Sequence, residues 1–598
     1  MFQTFTTTSD PSQGAARLTA LRARLAAEGL AGFLVPRADA HQGEYVAPRD
    51  ERLAWLTGFT GSAGFAVVLP AVAGVFVDGR YRIQLREQVD LAAFAPVDWP
   101  ETLPGPWISA HLAAGELGFD PWLHSAEEIA RLEADLTGSA VTLRPCPNMI
   151  DAIWPDQPAP PLGRAFVHPD ALAGATSLEK RDRLAAELRA AGQKAAVITL
   201  PDSICWLLNI RGADVPRNPV LHGFAILHDD ARVTLYADPA KFDEAVRAHL
   251  GAHVTLRPPS ALVPALHSLT GPVRVDRTSA PLAIAQELEE AGVAMVWGDD
   301  PCRMPKACKN AAEIAGTRAA HLRDGAAVVR FLHWLDETAP QGGLTEIAVV
   351  RALEGFRRET NALHDISFDT ISGAGPNGAI IHYRVTEATD RAVRPGELLL
   401  VDSGAQYQDG TTDITRTMPI GPAGAEERAC YTRVLQGLVA ISRLRFPRGV
   451  AGRDLDALAR AALWMAGQDY DHGTGHGVGA FLSVHEGPQR LSRLSEVPLR
   501  AGMILSNEPG YYRPGAFGIR LENLIVVEEA PPLGDNRPQF RFETLTFVPF
   551  DRRLIDLAQL APGERAWLDA YHAEVLAKIG QRVEGAVLDW LRAACAPL

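Results

Sequence analysis

Apolar residues in the first 150 positions alternate between helical spacing and short continuous runs. Leu18, Leu21 and Leu25 are spaced as on one face of a helix, which the pattern predicts over 15–29 with Gly29 as its end. The runs that predict buried strands are 32–35, 66–69 and 75–77. Helices alternating with buried strands are typical of an α/β domain.

The same plan returns in a second segment. Residues 184–192 predict the end of a helix at a glycine, and 195–200 predict an apolar strand. The stretch 190–197 resembles 27–34, which indicates a weak internal repeat of one α/β unit, with chance similarity in an Ala-rich chain as the alternative. The Pro-rich stretch 154–163 is interpreted as the linker between the two copies.

The third segment has a different pattern. A long amphipathic helix is predicted over 310–335, strand-like runs follow between 366 and 550, and helical spacing returns over 557–591, with apolar faces expected to pack on the domain. The three segments predict domains over 1–157, 164–304 and 305–598.

Composition excludes several classes of function. The 598 residues carry 72 acidic and 58 basic side chains, a formal charge of -14, without the basic run that a nucleic-acid binder needs. No apolar stretch is long enough to span a membrane, and no secretory signal is visible at the start. The six cysteines are scattered without a CxxC pair, so a reducing, cytoplasmic location is expected.

Two acidic residues flank a predicted hairpin in the third segment. Asp402 ends the apolar run 398–401, and Asp413 opens the next strand-like run. A two-residue turn at Asp409-Gly410 would set the two carboxylates four residues out of register, whereas a wider loop near 405–410 would place them side by side. Carboxylates at close range need a cation between them or a shared proton.

Further candidates follow along the chain. His476 lies in a Gly-rich stretch, 472–479, which is interpreted as tight, exposed backbone, and Glu522 lies at the start of a predicted strand. Together with Glu508 and the two Asp, they form an oxygen-rich set with one imidazole, which suits two divalent ions such as Mn²⁺, Co²⁺ or Zn²⁺. Spacing alone leaves solvated or capping carboxylates as the alternative.

A family resemblance adds to this interpretation. The strings that carry it are ISFDTISGAGPNGAIIHYR, DSGAQYQDGTTDITRT, HGTGHGVG, HEGP, SNEPGYY and FGIRLEN, with ADAHQGEYVAPRDERLAWLTGF near the start. In this order they resemble the Xaa-Pro aminopeptidases of the pita-bread metallopeptidases, in the long three-domain form. The resemblance implies two related creatinase-like α/β domains followed by an α+β pita-bread catalytic domain with a C-terminal helical extension.

The resemblance also implies roles for single residues. Asp402, Asp413, His476, Glu508 and Glu522 match the ligands of two divalent metal ions, with Mn²⁺ expected first. His382 and His485 match histidines that contact the substrate and act in catalysis, and Glu508 is also expected to shuttle a proton. His472 and Arg520 match further residues of the substrate pocket.

The implied reaction is hydrolysis of peptides with proline in the second position. A hydroxide activated by the two metals would attack the carbonyl of the N-terminal residue, and the metals would hold the free amine. The family resemblance further implies a cytoplasmic homodimer. The charge and hydropathy patterns predict no nucleic-acid or membrane partner. Trp464 is interpreted as either a dimer contact or a core residue.

Other functions remain open at this point. A prolidase, which cleaves Xaa-Pro dipeptides, shares the metal centre, while a methionine aminopeptidase does not need some 300 residues of front domains. A non-catalytic scaffold would be marked by substituted ligands, and none is substituted here. Glu486 is interpreted as a solvated neighbour of His485, and Tyr511 and Tyr512 as packing residues.

Overall fold

The computed structural model describes residues 1–534 and 536–598. It forms two compact units, Thr8–Arg303 and Met304–Leu598, and the second unit also contains Met1–Thr7. Within that second unit Phe5 is buried beside Tyr383 and Val385, and Gln3 exchanges hydrogen bonds with the main chain of Thr370. The sequence did not indicate that the first seven residues pack with residues beyond 303.

A six-stranded mixed sheet forms the first half of the unit Thr8–Arg303. Its strands are β1 (Gly32–Pro36), β2 (Phe65–Val68), β3 (Ala73–Val77), β4 (Ala95–Asp98), β5 (Ala114–Phe119) and β6 (Ala140–Pro145). Its helices are α1 (Gly14–Ala27), α2 (Arg52–Thr57), α3 (Arg82–Gln88), α4 (Pro104–His111) and α5 (Ala126–Asp135). The strand order is β4-β3-β2-β1-β5-β6, with β2 antiparallel to both neighbours and the other pairs parallel.

The second half of this unit repeats the same topology. After the short strand β7 (Phe166–Val167) come β8 (Ala195–Ile198), β9 (Ile210–Arg211), β10 (Phe224–His228), β11 (Val233–Tyr236), β12 (Val254–Arg257), β13 (Val273–Val275) and β14 (Met295–Trp297). The helices are α6 (Asp170–Ala173), α7 (Ser177–Ala190), α8 (Pro201–Leu208), α9 (Glu244–Leu250), α10 (Leu262–His267) and α11 (Leu282–Glu290). The order β12-β11-β10-β8-β13-β14, again with one strand antiparallel to both neighbours, confirms the predicted repeat.

Sequence signals explain the equivalent elements of both copies. Leu18, Leu21 and Leu25 are buried on one face of α1, and the chain leaves the helix through Gly29 in the left-handed conformation at φ +70°. Gly192 has the same role after α7, at φ +68°. Each helix is followed by a fully apolar strand, as predicted.

The unit Met304–Leu598 is an α+β body with a deep apolar core. Its helices are α12 (Arg303–Ala307, whose first residue belongs to the other unit), α13 (Ala311–Thr338), α14 (Glu346–Arg358), α15 (Ala425–Ser442), α16 (Gly452–Trp464), α17 (Pro562–Ile579) and α18 (Gly585–Ala594). The long predicted helix is confirmed as α13, which Asn310 caps with a reciprocal bond to Glu313. Leu568, Tyr571, Val575 and Ile579 of α17 are buried in the core, as expected of the terminal helices.

Strands of this unit form one large sheet and smaller ones. They are β15 (Leu363–Ile366), β16 (Ile371–Ala374), β17 (Leu398–Ser403), β18 (Ala405–Tyr407), β19 (Gly410–Thr411), β20 (Ile414–Pro419), β21 (Arg445–Pro447), β22 (Gly475–Gly477), β23 (Glu486–Leu491), β24 (Ile504–Asn507), β25 (Gly510–Arg513), β26 (Phe517–Arg520), β27 (Asn523–Ala530) and β28 (Gln539–Thr544). The large sheet has the order β21-β28-β27-β24-β22-β23, and β17 lies between β16 and β20 in a three-stranded sheet. Among the described residues, no helix has the length and apolar character that crossing a membrane requires.

Candidate metal centre

The two candidate aspartates lie close to each other on a pair of antiparallel strands, Asp402 within β17 and Asp413 directly before β20. Asp402 on β17 faces Thr415 on β20, and the hairpin turns between Tyr407 and Gly410. Both predicted registers were therefore wrong, because the turn uses residues 408 and 409. Asp413 is offset by two residues from the position facing Asp402, and an even offset keeps both side chains on one face of the pair.

His476 enters the site from a buried strand. Its segment was predicted to be exposed backbone, yet Thr474, Gly475 and Gly477 are buried and β22 pairs with β24. The reason is close packing, since a Cβ on Gly475 would lie 1.9 Å from the carbonyl oxygen of Ser506. His476 Nδ1 lies 2.9 Å from the carbonyl oxygen of Gly477, a contact that suits an Nδ1–H donor and leaves Nε2 as the ligand atom.

Glu508 and Glu522 reach the same place from the ends of adjacent strands. Glu508 follows β24, its main-chain N–H donates to the carbonyl of Thr474, and its Oε1 accepts a hydrogen bond from Ser506 Oγ at 3.0 Å. Glu522 precedes β27, and its Oε2 accepts a hydrogen bond from Thr415 Oγ1 at 2.8 Å. Both carboxylates are thus oriented by hydroxyls two residues from a candidate ligand.

All five predicted metal ligands converge. Three overlapping groups have ligand atoms within 4.8 Å of one another. The first is Asp402 with Asp413 and Glu522, the second is His476 with Glu508 and Glu522, and the third is Asp413 with His476 and His485. His476 Nε2 lies 3.4 Å from both Asp413 Oδ2 and Glu508 Oε1. His485 was predicted as a catalytic residue and not as a ligand, and its ring lies 4.2 Å from that of His476.

The charge of this set calls for cations. Burial and the carboxylate of Asp402 raise the pKa of Asp413 well above its usual range, and burial with the carboxylate of Asp413 does the same to the pKa of Glu522. Among the described residues, Asp402 Oδ1 and Glu522 Oε1 are buried without a hydrogen-bond donor. Buried oxygens of this kind, beside the Nε2 atom of His476, fit a pair of divalent ions.

A buried arginine connects the set to a tyrosine and a second histidine. Arg520 Nη2 donates to Asp402 Oδ2 at 2.7 Å, and Arg520 Nη1 donates to the Tyr512 hydroxyl at 2.6 Å. That hydroxyl also lies 2.9 Å from His472 Nε2. His472 and Arg520 are therefore brought to the site, and Tyr512 is more than the packing residue that was predicted.

Glu486, next to His485, was predicted to be solvated, and this was wrong. Glu486 is 3% exposed, and its carboxylate forms ion pairs with Lys306 Nζ, at 2.7 Å, and with Lys309 Nζ. Both lysines are also buried. Because Lys and Glu are rarely buried unless paired, the three charges stabilise one another, and we call them the buried triad.

His382 lies on the loop that follows the short helical turn Gly375–Ala379. It is half-buried between Ile381 and Tyr383, whose hydroxyl donates to Glu346 Oε2 at 2.9 Å. The turn approaches β26 closely, because a Cβ on Gly518 would lie 1.7 Å from the carbonyl oxygen of Gly378. The turn that precedes His382 therefore lies against the strand that carries Arg520.

Sequence reasoning missed three side chains that orient the candidate ligands: Thr415, Ser506 and Tyr512. A signal existed for two of them, because Thr415 and Asp413, like Ser506 and Glu508, are two residues apart at the end of a strand. Residues two apart on a strand share a face. Trp464, which was left open between contact and core, is 43% exposed and stacks with the guanidinium of Arg493.

Comparison with known families supports this picture. Residues 315–529 match the model of metallopeptidase family M24, and 538–598 match that of the C-terminal region of peptidase M24. Residues 17–153 and 156–313 each match the creatinase/prolidase N-terminal domain. The two copies seen in the fold thus match two family models that share one description.

Individual relatives resemble nearly the whole chain. A probable Xaa-Pro aminopeptidase P from Laccaria bicolor is 38% identical, over 97% of this chain and 93% of the relative. Aminopeptidase P2 from Arabidopsis thaliana is 39% identical, over 94% and 85%. The crystal structure of X-prolyl aminopeptidase from Caenorhabditis elegans, described as a cytosolic enzyme with a di-nuclear active site, superposes with a TM-score of 0.94 at 32% identity, over 98% of this chain and all of that one.

Proposed function

Because the chain belongs to the M24 metallopeptidases of the Xaa-Pro aminopeptidase P type, a family of hydrolases, we propose that it releases the N-terminal residue from peptides whose second residue is proline. The observation that carries this proposal is the convergence of three buried carboxylates, the half-buried carboxylate of Glu508 and the imidazole of His476 on one small volume. Water activated at a dinuclear metal centre would be the nucleophile.

The residues that would hold two divalent ions are Asp402, Asp413, His476, Glu508 and Glu522. Divalent ions bound there would polarise a substrate carbonyl and lower the pKa of water. Manganese is the proposed ion, since the set is rich in oxygen and lacks thiolate, and Co²⁺ or Zn²⁺ also suit it.

The chain's own side chains would supply the remaining chemistry. Glu508 would carry a proton to the leaving prolyl nitrogen. In support, its Oε1 accepts a hydrogen bond from Ser506 Oγ at 3.0 Å, and its carboxylate belongs to the cluster. His382 and His485 would donate hydrogen bonds to the charge that develops on the substrate carbonyl oxygen. His472 and Arg520, linked through the hydroxyl of Tyr512, would shape the pocket.

Chain coverage favours an aminopeptidase over a prolidase. A dipeptidase PepE structure from Mycobacterium ulcerans, at 26% identity and a TM-score of 0.51, covers 64% of this chain. Nearly all of that structure is matched. The part of this chain left uncovered is about the length of one front domain, so the dipeptidase lacks one.

Three further assignments remain proposals. We propose domain borders as predicted, at 1–157, 164–304 and 305–598. The division after Arg303 supports the last border, whereas Met1–Thr7 pack with the unit that begins at Met304. We propose a homodimer, which the exposed Trp464 and Met465 on the surface of the second unit would suit. A cytosolic location is proposed from the description of the nematode relative.

The test is release of the N-terminal residue from an Xaa-Pro-Yaa tripeptide in Mn²⁺, compared with Xaa-Ala-Yaa and with the dipeptide Xaa-Pro. We expect cleavage of the proline tripeptide alone, lost on chelation and restored by Mn²⁺. Cleavage confined to the dipeptide would make the protein a prolidase. Two bound metals without any cleavage would favour a binding scaffold.

A further inference from the structure

Arg416 is a buried cation on β20 whose hydrogen bonds, among the described residues, all go to neutral oxygens. The side chain is 3% exposed and lies between Thr415 and Thr417. Its acceptors are the carbonyl oxygens of Thr415, Glu522, Val548 and Pro549, the side-chain oxygen of Asn523 and the hydroxyl of Tyr571. A buried guanidinium is costly unless its donors are satisfied, so this ring of acceptors fixes where the side chain can lie.

One side of Arg416 holds a candidate metal ligand. Arg416 Nη1 donates to the carbonyl oxygen of Glu522 at 2.6 Å. The adjacent Thr415 accepts the N–H of Glu522 at its carbonyl and donates its hydroxyl to Glu522 Oε2. Glu522 is therefore held at its nitrogen, its carbonyl oxygen and one carboxylate oxygen, while Oε1 is left free for a metal.

The other side of Arg416 is held by the C-terminal region, residues 538–598. Arg416 Nη2 donates to the carbonyl oxygen of Val548 at 2.7 Å and to the hydroxyl of Tyr571 at 3.2 Å. The guanidinium carbon lies 4.2 Å from the centre of the Phe550 ring. These partners lie outside the catalytic family model, which ends at residue 529.

We propose that Arg416 is a positioning residue through which the C-terminal region sets the place of the Glu522 carboxylate in the metal centre. The proposal rests on the proposed function, because it takes Glu522 as a metal ligand. It gives the segment 548–550 and helix α17 a role in metal binding that their distance along the chain from the ligands does not indicate. Partners of this kind around a metal ligand typically change metal affinity by about 10- to 100-fold when they are removed.

The test is titration of Mn²⁺ alone into metal-stripped, full-length protein by calorimetry, with bound metal counted by mass spectrometry. In R416K, which keeps the charge but loses the planar fork, we expect Mn²⁺ affinity at the weaker site to fall by about 10- to 100-fold. In Tyr571→Phe, which removes one acceptor and keeps the ring, we expect a smaller loss of at least about threefold.

The matched control is Val575→Ala, one turn along α17 from Tyr571. Val575 is fully buried in the same core but makes apolar contacts only, so its truncation loosens the region without touching the contacts of Arg416. We expect a lower melting temperature with Mn²⁺ affinity as in the wild type.

Several results would overturn the proposal. The proposal would be overturned if R416K bound Mn²⁺ as tightly as the wild type. It would also be overturned if Val575→Ala lost as much Mn²⁺ affinity as R416K at the same melting temperature. Should R416K fail to fold, unchanged affinity in Tyr571→Phe would have the same meaning. Wild-type protein that binds no Mn²⁺ would refute the proposed metal centre itself, and with it this proposal.

Discussion

Replacing Glu486 by Gln removes the anion of the buried triad and leaves two buried ammonium groups beside each other. At the observed 2.7 Å between Glu486 and Lys306 Nζ, the attraction is about 6 kcal/mol at an effective dielectric constant of about 20. Desolvation of the charges offsets much of this, and removal of one partner from a buried pair costs about 3–5 kcal/mol. We expect Glu486→Gln to lie at the upper end, about 4–5 kcal/mol, because two charges lose their partner.

Replacing Lys309 by Met is the milder perturbation. It leaves Glu486 paired with Lys306, so we expect a loss of about 1–3 kcal/mol. The double variant should be more stable than Glu486→Gln alone, because it removes one of the two uncompensated charges. Charges on the surface would not show this restored stability after a second substitution, because each surface pair contributes less than about 1 kcal/mol.

Hydrogen exchange measured by mass spectrometry on the peptides that cover β23 reports this locally. A loss of about 4 kcal/mol in local stability corresponds to roughly 1000-fold faster exchange of the protected amides. Exchange in Glu486→Gln that stays within about tenfold of the wild type, with the double variant no better than the single, would refute the reasoning. We also expect lower kcat in Glu486→Gln, since His485 is its neighbour in the chain.

Three further predictions follow from the structure. Tyr512→Phe removes the hydroxyl that contacts both His472 and Arg520, so we expect kcat/KM on the proline tripeptide to fall by about 10-fold or more. The control is Tyr511→Phe, which leaves those two contacts in place and should keep kcat/KM near the wild-type value. Equal activities of the two variants would contradict the assigned contacts. Gly475→Ala places a Cβ 1.9 Å from the Ser506 carbonyl oxygen, so it should lower the melting temperature by several degrees and reduce the metal content. The control is Gly355→Ala in α14, where the space around the Cβ is open. It should leave the metal content unchanged and keep or raise the melting temperature. Burial lowers the pKa of His572 to about 4, so below pH 6.5 the unfolded chain binds a proton that the folded chain does not. The free energy of unfolding should therefore fall by up to about 3 kcal/mol as the pH drops from 6.5 to 4. In urea titrations His572→Gln should lose less stability over that range, and parallel pH curves for the two proteins would be inconsistent with a buried neutral imidazole.

Local patterns were sufficient for much of this fold. Helix α1 and strand β1 follow from apolar spacing and a glycine stop, and the repeat of that plan at α7 and β8 predicted the second sheet. The hairpin register was wrong in both versions, since a shift of one residue in the turn moves every facing pair. Turn position depends on packing of both strands and is not encoded in the turn residues alone.

In the candidate site, too, some features could be predicted from the sequence and others could not. Its charged and imidazole groups are visible in the sequence as a resemblance, and all five proposed ligands converge. The contacts that hold them are not visible, because their partners are remote in sequence; Lys309 and Glu486 are 177 residues apart. A lone Glu next to a His carries no signal of burial, so the interpretation as a solvated residue was the reasonable one and it was wrong.

Residues 1–7 belong to the unit that is otherwise built from residues beyond 303, and this affects the order of events during synthesis. Phe5 is translated long before Val385 and Leu400, the residues it packs against. At about 5–20 residues per second, the ribosome takes about 20–80 s to cover that interval. During this time the two α/β sheets can fold, while residues 1–7 have no partner for the side chain of Phe5. A fusion placed directly before Met1 would therefore act on the last step of assembly, beside the loop of His382, and not on the domain that follows it in the chain.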